Sequence, residues 1–199
     1  FRIALRDLEI RGAGSILGGR QHGHMEAVGY DMYIRLLSEA IAEEKGEKPE
    51  KIAECLVDIQ IDAHIPENYI SSLNQRIDIY RKIMLINEDE DKTDLIDELI
   101  DRYGEPPKSV MGLLEVSLLR NKAARLGITE ISQRNAAMYF YTEYLGTNQI
   151  AGLSASYKGR ITFNGSGRSY VSVKISPKVK PFDMMKDVVE IIYNHRDET

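Results

Sequence analysis

The sequence predicts an α+β protein in which helices pack with a small, mostly antiparallel sheet. Three observations predict it. A period-two alternation over residues 55–65 fits a strand and not a helix; apolar stripes at helical spacing fill the middle of the chain and stop at glycine; and from about residue 129 onward the chain changes to short strand-like runs closed by a final helix.

The elements follow in order. From Asp31 to Glu44, Tyr33, Leu36, Leu37, Ala40 and Ile41 recur at i, i+3, i+4, i+7 and i+8, the stripe of an amphipathic helix. Residues 43–50 are charged, contain Gly46 and Pro49, and offer nothing apolar to bury, so they read as a linker between a first domain, 1–50, and a second, 52–199. Cys55, Val57, Ile59, Ile61, Ala63 and Ile65 then alternate with mainly polar residues, a strand with one buried face stopped by Pro66. Helices are expected at about Ser71–Ile86, Thr93–Tyr103 and Lys108–Leu126, the last two ended by Gly104 and Gly127 where a left-handed terminus belongs. Strands at about Ala137–Thr142, Arg160–Phe163 and Tyr170–Ile175, a short helix over Thr147–Tyr157 and a helix over Pro181–Tyr193 complete the order strand, helix, strand, strand, helix.

Composition narrows the function. A formal charge of −5 argues against a self-sufficient nucleic-acid grip, which ordinarily needs a basic stripe to displace counterions from phosphate. One cysteine, Cys55, rules out an intrachain disulfide and suits a reducing cytoplasm. No apolar run approaches membrane-spanning length, so no membrane partner is expected. The chain opens at Phe1 inside a patterned apolar segment, which suggests a fragment of a longer protein.

The glycine-rich stretch after Arg11 invites a phosphate-loop reading, since Gly14 and Gly19 have the four-residue gap. Arg20 and Gln21 then stand where such a loop needs Lys and Ser or Thr. Gly12, Gly14 and Gly18 are one residue out of register for a dinucleotide fingerprint. His22 and His24, with Cys55 or His64, are too few and too scattered to promise a closed metal site. No catalytic constellation and no cofactor are expected in this chain.

The stretch Phe1-x-Ile3-Ala4, then Asp7-Leu8-Glu9-Ile10-Arg11-Gly12-x-Gly14, Gly18 and Gln21-x-Gly23, resembles the translocation motif shared by the transcription-repair coupling factors and the RecG branch-migration helicase. Three later segments are similar to the coupling factors and not to RecG. They are Met25-Glu26-Ala27-Val28-Gly29-Tyr30-Asp31-x-Tyr33 with Leu36-Leu37; Ile65-Pro66-x-x-Tyr69-Ile70 with Gln75-Arg76 and Tyr80-Arg81; and Glu98-Leu99-Ile100-Asp101-Arg102-Tyr103-Gly104 with Pro107. The resemblance covers residues 1 to about 128, and beyond that only the coarse pattern agrees.

The resemblance implies that residues 1–50 form a helical hairpin and linker after the second motor lobe of an ATP-dependent double-stranded DNA translocase, transmitting its strokes to duplex DNA through Asp7, Glu9, Arg11, Gly12, Gly14, Gly18, Gln21 and Gly23. Arg11 suits a contact exchanged between two states, because its guanidinium binds carboxylate or phosphate bidentately while the glycines let the segment bend. The plainer alternative is a surface pair with Asp7 or Glu9. Residues 52–199 are implied to pack on the parent's own UvrB-like region and hide the surface that recruits the repair protein UvrA, the parent also acting on RNA polymerase with ATP and Mg²⁺. The implied interface is Glu98, Asp101 and Arg102, on a helix expected to bury Leu95, Leu99 and Ile100 and to present Asp94, Asp97, Glu98 and Asp101 outward; a merely solvated acidic face remains the alternative. Two rivals stand beside this reading, a RecG-like helicase tail and a free-standing protein-interaction adaptor.

Overall fold

The computed structural model describes residues 55–58 and 63–196. These divide into two compact units. One is made of residues 63–85 and 90–115, the other of 55–58, 86–89 and 116–196.

In the first unit a turn leads into helix α1, Leu73–Met84, with Tyr69 N–H and Ile70 N–H both donating to Pro66 O. Ser72 caps α1 by accepting from Gln75 N–H at 3.5 Å, and Arg81 and Lys82 lie in its last turn, where the helix dipole favours cations. Ile79 and Ile83, four residues apart, are fully buried. Helix α2, Asp89–Tyr103, buries Leu95 and Leu99 by the same spacing. Ile100, expected inside, is instead 39% exposed: it follows Leu99 by one residue and so points about 100° away from the buried stripe. Gly104 ends α2 at φ +81°, a conformation that costs a side-chain-bearing residue, and its N–H donates to Ile100 O. Helix α3, Lys108–Arg125, opens with Val110 and Met111 N–H on Pro107 O and buries Val110, Leu113 and Leu114.

The second unit is built on a five-stranded sheet of β1 (Leu56–Asp58), β2 (Ile128–Arg134), β3 (Ala137–Thr142), β4 (Ile161–Asn164) and β5 (Tyr170–Lys174), in the order β1-β2-β3-β5-β4. Only β1 and β2 pair in parallel; the other three pairs are antiparallel. Two expectations need correction. The alternating run is described as strand only over Leu56–Asp58, residues 59–62 lie outside the described part, and Ala63 to Ile65 are not strand. β2 was not anticipated at all. Its pairing with β3 shifts register between Ile128 and Glu130, so two of its buried residues, Ile128 and Ile131, are three apart and the period of two is broken. A two-residue turn with Asn135 at φ +54° joins β2 to β3.

Helices α4, Thr147–Ser156, and α5, Pro181–Asn194, pack together. Pro181 opens α5, where its missing N–H costs nothing, and Asp183 sits in the first turn against the dipole's positive end. Met184, Met185, Val188, Val189 and Ile192 are buried along one side of α5, and each fully buried aliphatic side chain stabilises by roughly 1.5–3 kcal/mol. On α4, a Cβ at Gly152 would lie 2.9 Å from the ring of His195, so any larger residue there would push that exposed ring aside.

Candidate interaction site

The implied coupling residues Asp7, Glu9, Arg11, Gly12, Gly14, Gly18, Gln21 and Gly23, together with His22 and His24, lie outside the described residues. The other implied set, Glu98, Asp101 and Arg102, lies on the last turns of α2.

Two of these three are brought together. Glu98 and Arg102 are one helical turn apart, and Arg102 Nη1 donates to Glu98 Oε1 at 2.6 Å. Lys82 from α1 donates to both oxygens of the same carboxylate, at 2.6 and 2.5 Å. Glu98 is therefore not part of an open acidic face. It is half-buried between two cations, and the hydrogen bond from Lys82, ahead of that from Arg102, holds its carboxyl below the usual value in spite of partial burial. The same bond to Glu98 raises Arg102. Asp94, Asp97 and Asp101 are exposed, as expected, and Asp101 stands beside Arg102.

Aromatic residues fix the end of this helix. Tyr69 Oη donates to Gly104 O at 2.8 Å, just past the end of the helix, and approaches Leu99 O at 3.5 Å, pinning the last turn. Its ring meets Tyr103 edge-on, 6.0 Å between centroids, and Arg102 Cζ lies 4.9 Å from the centre of the Tyr103 ring. Burial raises the Tyr69 hydroxyl's pKa first, with Glu105 and Tyr103 adding to it, so Tyr69 remains a donor at neutral pH.

The segment that carries Tyr69 is itself held by the other residues of the resemblance. Arg76, buried, donates to Ile70 O at 2.6 Å and Ser71 O at 3.1 Å, and Tyr80 Oη accepts from Ile65 N–H at 2.9 Å. Arg76 and Tyr80 are thus props for the loop that places Tyr69. Lys82 is the residue that sequence reasoning missed; it lies sixteen positions before Glu98 on another helix, beyond any helical spacing rule. Among the described residues no three His, Cys, Asp or Glu side chains gather as a metal site would, and no helix is long and apolar enough to cross a membrane. Chemically, the arrangement offers a surface with a guanidinium held by Glu98 and an exposed carboxylate, Asp101, beside it, a combination that suits protein recognition.

Comparison with known proteins gives the family and the fold. The family model of the TRCF domain matches residues 59–151. The transcription-repair-coupling factor of Bacillus subtilis (strain 168) is 36% identical over 196 residues, covering 95% of this chain and 16% of that protein. That of Staphylococcus aureus (strain USA300) is 33% identical over 198 residues, covering 96% of this chain and 17% of that protein. The chain thus spans about a sixth of the length of these relatives. A solved structure described as the C-terminal domain of transcription-repair coupling factor shares the fold with a TM-score of 0.60 at 22% identity, over 71% of this chain and 92% of that one.

Proposed function

Because this chain belongs to the transcription-repair coupling factor family, matching one section of its longer members, we propose that it is the coupling and regulatory section of an ATP-dependent double-stranded DNA translocase. Residues 1–50 convey the motor's stroke to duplex DNA, with Arg11 and Gln21 exchanging partners between states. Residues 52–199 cover the parent's UvrB-like region and withhold it from UvrA until the motor meets a stalled RNA polymerase. ATP and Mg²⁺ act in the parent's motor lobes, and this section contributes no catalysis of its own, since Arg20 and Gln21 replace the phosphate-gripping pair. The parent works in the cytoplasm.

The observation that carries the masking role is the end of α2. Asp101 and Arg102 are exposed, while Glu98, Lys82 and the Tyr69 cap hold the turn that presents them. A preoriented guanidinium loses little freedom on docking, so it favours a specific interface over a solvated face.

The test uses the full-length parent. Removing residues 52–199 is expected to strengthen UvrA binding in a titration, and Asp101→Arg with Arg102→Glu to reproduce part of the gain; unchanged affinity in both would remove the masking role. In the same protein Arg11→Ala should leave ATP hydrolysis largely intact yet abolish displacement of a triplex strand. Equal loss of both activities would reduce Arg11 to a folding role.

A further inference from the structure

The sheet of the second unit has two faces of different chemistry. Ile131, Met138, Phe140, Val171 and Val173 share one face by register and are all buried. The opposite face carries Glu130, Ser132, Tyr139, Tyr141 and Tyr170. The three tyrosine rings form one cluster, with centroids 5.2 Å apart for Tyr139 and Tyr170, 5.8 Å for Tyr141 and Tyr170, and 6.4 Å for Tyr139 and Tyr141. Arg168, from the turn between β4 and β5, lies over Tyr141 at 4.1 Å, and Arg134, at the end of β2, lies 5.7 Å from the same ring. One carboxylate ties both: Glu130 accepts from Arg168 Nη1 at 2.7 Å and pairs with Arg134 Nη2 at 3.5 Å. Glu130 is 16% exposed, the arginine side chains 56% and 59%. Beside them Ser132 is 2% exposed, and its Oγ has no hydrogen-bond partner.

We propose that this face is a docking surface for an extended acidic segment of a protein partner, whose carboxylates bind Arg134 and Arg168. Each guanidinium has five N–H donors, and Glu130 engages one on each, leaving the rest toward solvent in an orientation set by the ring beneath. In a chain of net charge −5 the two arginines make a local positive spot, complementary to carboxylates and steering them to the tyrosines. Tyrosine and arginine at the centre of a patch are the residue types that dominate binding energy. Single-stranded nucleic acid fits less well. It needs open ring faces, whereas Tyr141 is 7% exposed beneath Arg168, and Glu130 at the centre opposes a phosphate chain.

The experiment measures fluorescence polarisation of a short labelled peptide of alternating glutamate and leucine on the full chain, beside an oligothymidylate of equal charge. The peptide is expected to bind at least about tenfold tighter than the oligonucleotide, to weaken with salt, and to lose about tenfold on Arg168→Gln and again on Arg134→Gln. Lys178→Gln, in the loop between β5 and α5, should change nothing, and circular dichroism of each variant should match the parent chain. Peptide binding that is absent, that survives both arginine variants, or that falls equally with Lys178→Gln would overturn the proposal, as would an oligonucleotide that binds as well as the peptide. Because Arg168 and Arg134 are both more than half exposed, their loss should spare folding; should either variant fail the dichroism check, Arg168→Lys, which keeps the charge and loses the fork, is expected to show a severalfold loss, and no loss there would also overturn it.

Discussion

The two units hold their helix ends by different means. In the first, the end of α2 is fixed at the surface: Lys82 and Arg102, both substantially exposed, share Glu98. In the second, the corresponding work is done indoors. Gln149, 9% exposed, accepts from Gly146 N–H at 2.8 Å to close the start of α4 and donates to Ile192 O at 3.0 Å to satisfy the end of α5. Tyr157 donates to Asp187, and Lys122, 7% exposed, reaches Asp89 at 2.8 Å and Glu190 at 3.1 Å. Exposed ion pairs exchange protein partners for water at little net gain, whereas a buried group stripped of its partner carries the whole desolvation cost. The surface network should therefore orient and the buried one stabilise.

The strongest way to break that comparison is Gln149→Leu. It leaves Gly146 N–H and Ile192 O without their partner in a site with little access for water, and roughly 2–4 kcal/mol of stability should be lost, read as a lower denaturant midpoint at unchanged slope. A loss below about 0.5 kcal/mol would mean that the buried polar links of this unit are dispensable.

Tyr157→Phe should cost less, about 1 kcal/mol, because only one hydrogen bond goes and Asp187 can turn to solvent. Its pH dependence sharpens the point. Burial, then the bond to Asp187, pushes the Tyr157 hydroxyl well above its ordinary value of 10.0. A raised folded pKa gives stability that is complete below pH 10 and is lost as the pH climbs toward the folded value, so the deficit of the Phe variant should narrow in alkali. Lys122 behaves alike: burial draws its ammonium down, but Asp89 and Glu190 outweigh this and leave it raised above 10.5. A Phe deficit that stays constant from neutral to alkaline pH would show that the hydroxyl's titration is not linked to folding.

The sequence made the local features of both units legible and the long-range ones illegible, for physical reasons visible in particular residues. Gly104 and Gly127 announced the ends of α2 and α3 because a left-handed terminus has a residue-level signature, and both adopt it, at φ +81° and +75°. Ala137–Thr142 was read to the residue, and its first four positions do alternate between half-buried and buried. β2 escaped because its bulge puts Ile128 and Ile131 out of alternation. At the site, the carboxylates of α2 were legible from spacing, but the Lys82 that claims Glu98 comes from another helix, and the order of the chain carries no sign of that encounter. Residues 129–199, which the resemblance left without a role, hold the tyrosine and arginine face, formed only when three strands and a turn meet.

The smallest effect expected is that of Glu98→Gln. Exposed pairs contribute about 0.5 kcal/mol or less, and the amide still accepts from Lys82, so the melting midpoint should scarcely move. Whatever difference remains has a defined pH window. The Lys82 hydrogen bond lowers the Glu98 pKa, so its stabilisation is complete above the ordinary value of 4.5, disappears as the pH falls through the lowered folded value, and shrinks with added salt. Under the masking role proposed above, the same substitution in the full-length parent should nevertheless raise UvrA affinity, because Arg102 would lose the carboxylate that aims it. Stability spared and masking weakened is the pairing that a releasable cover requires: contacts that must part when the partner arrives cannot be those on which the fold depends. A Glu98→Gln chain as destabilised as Gln149→Leu would place the surface network among the structural ones and remove the basis for separating orientation from stability in this molecule.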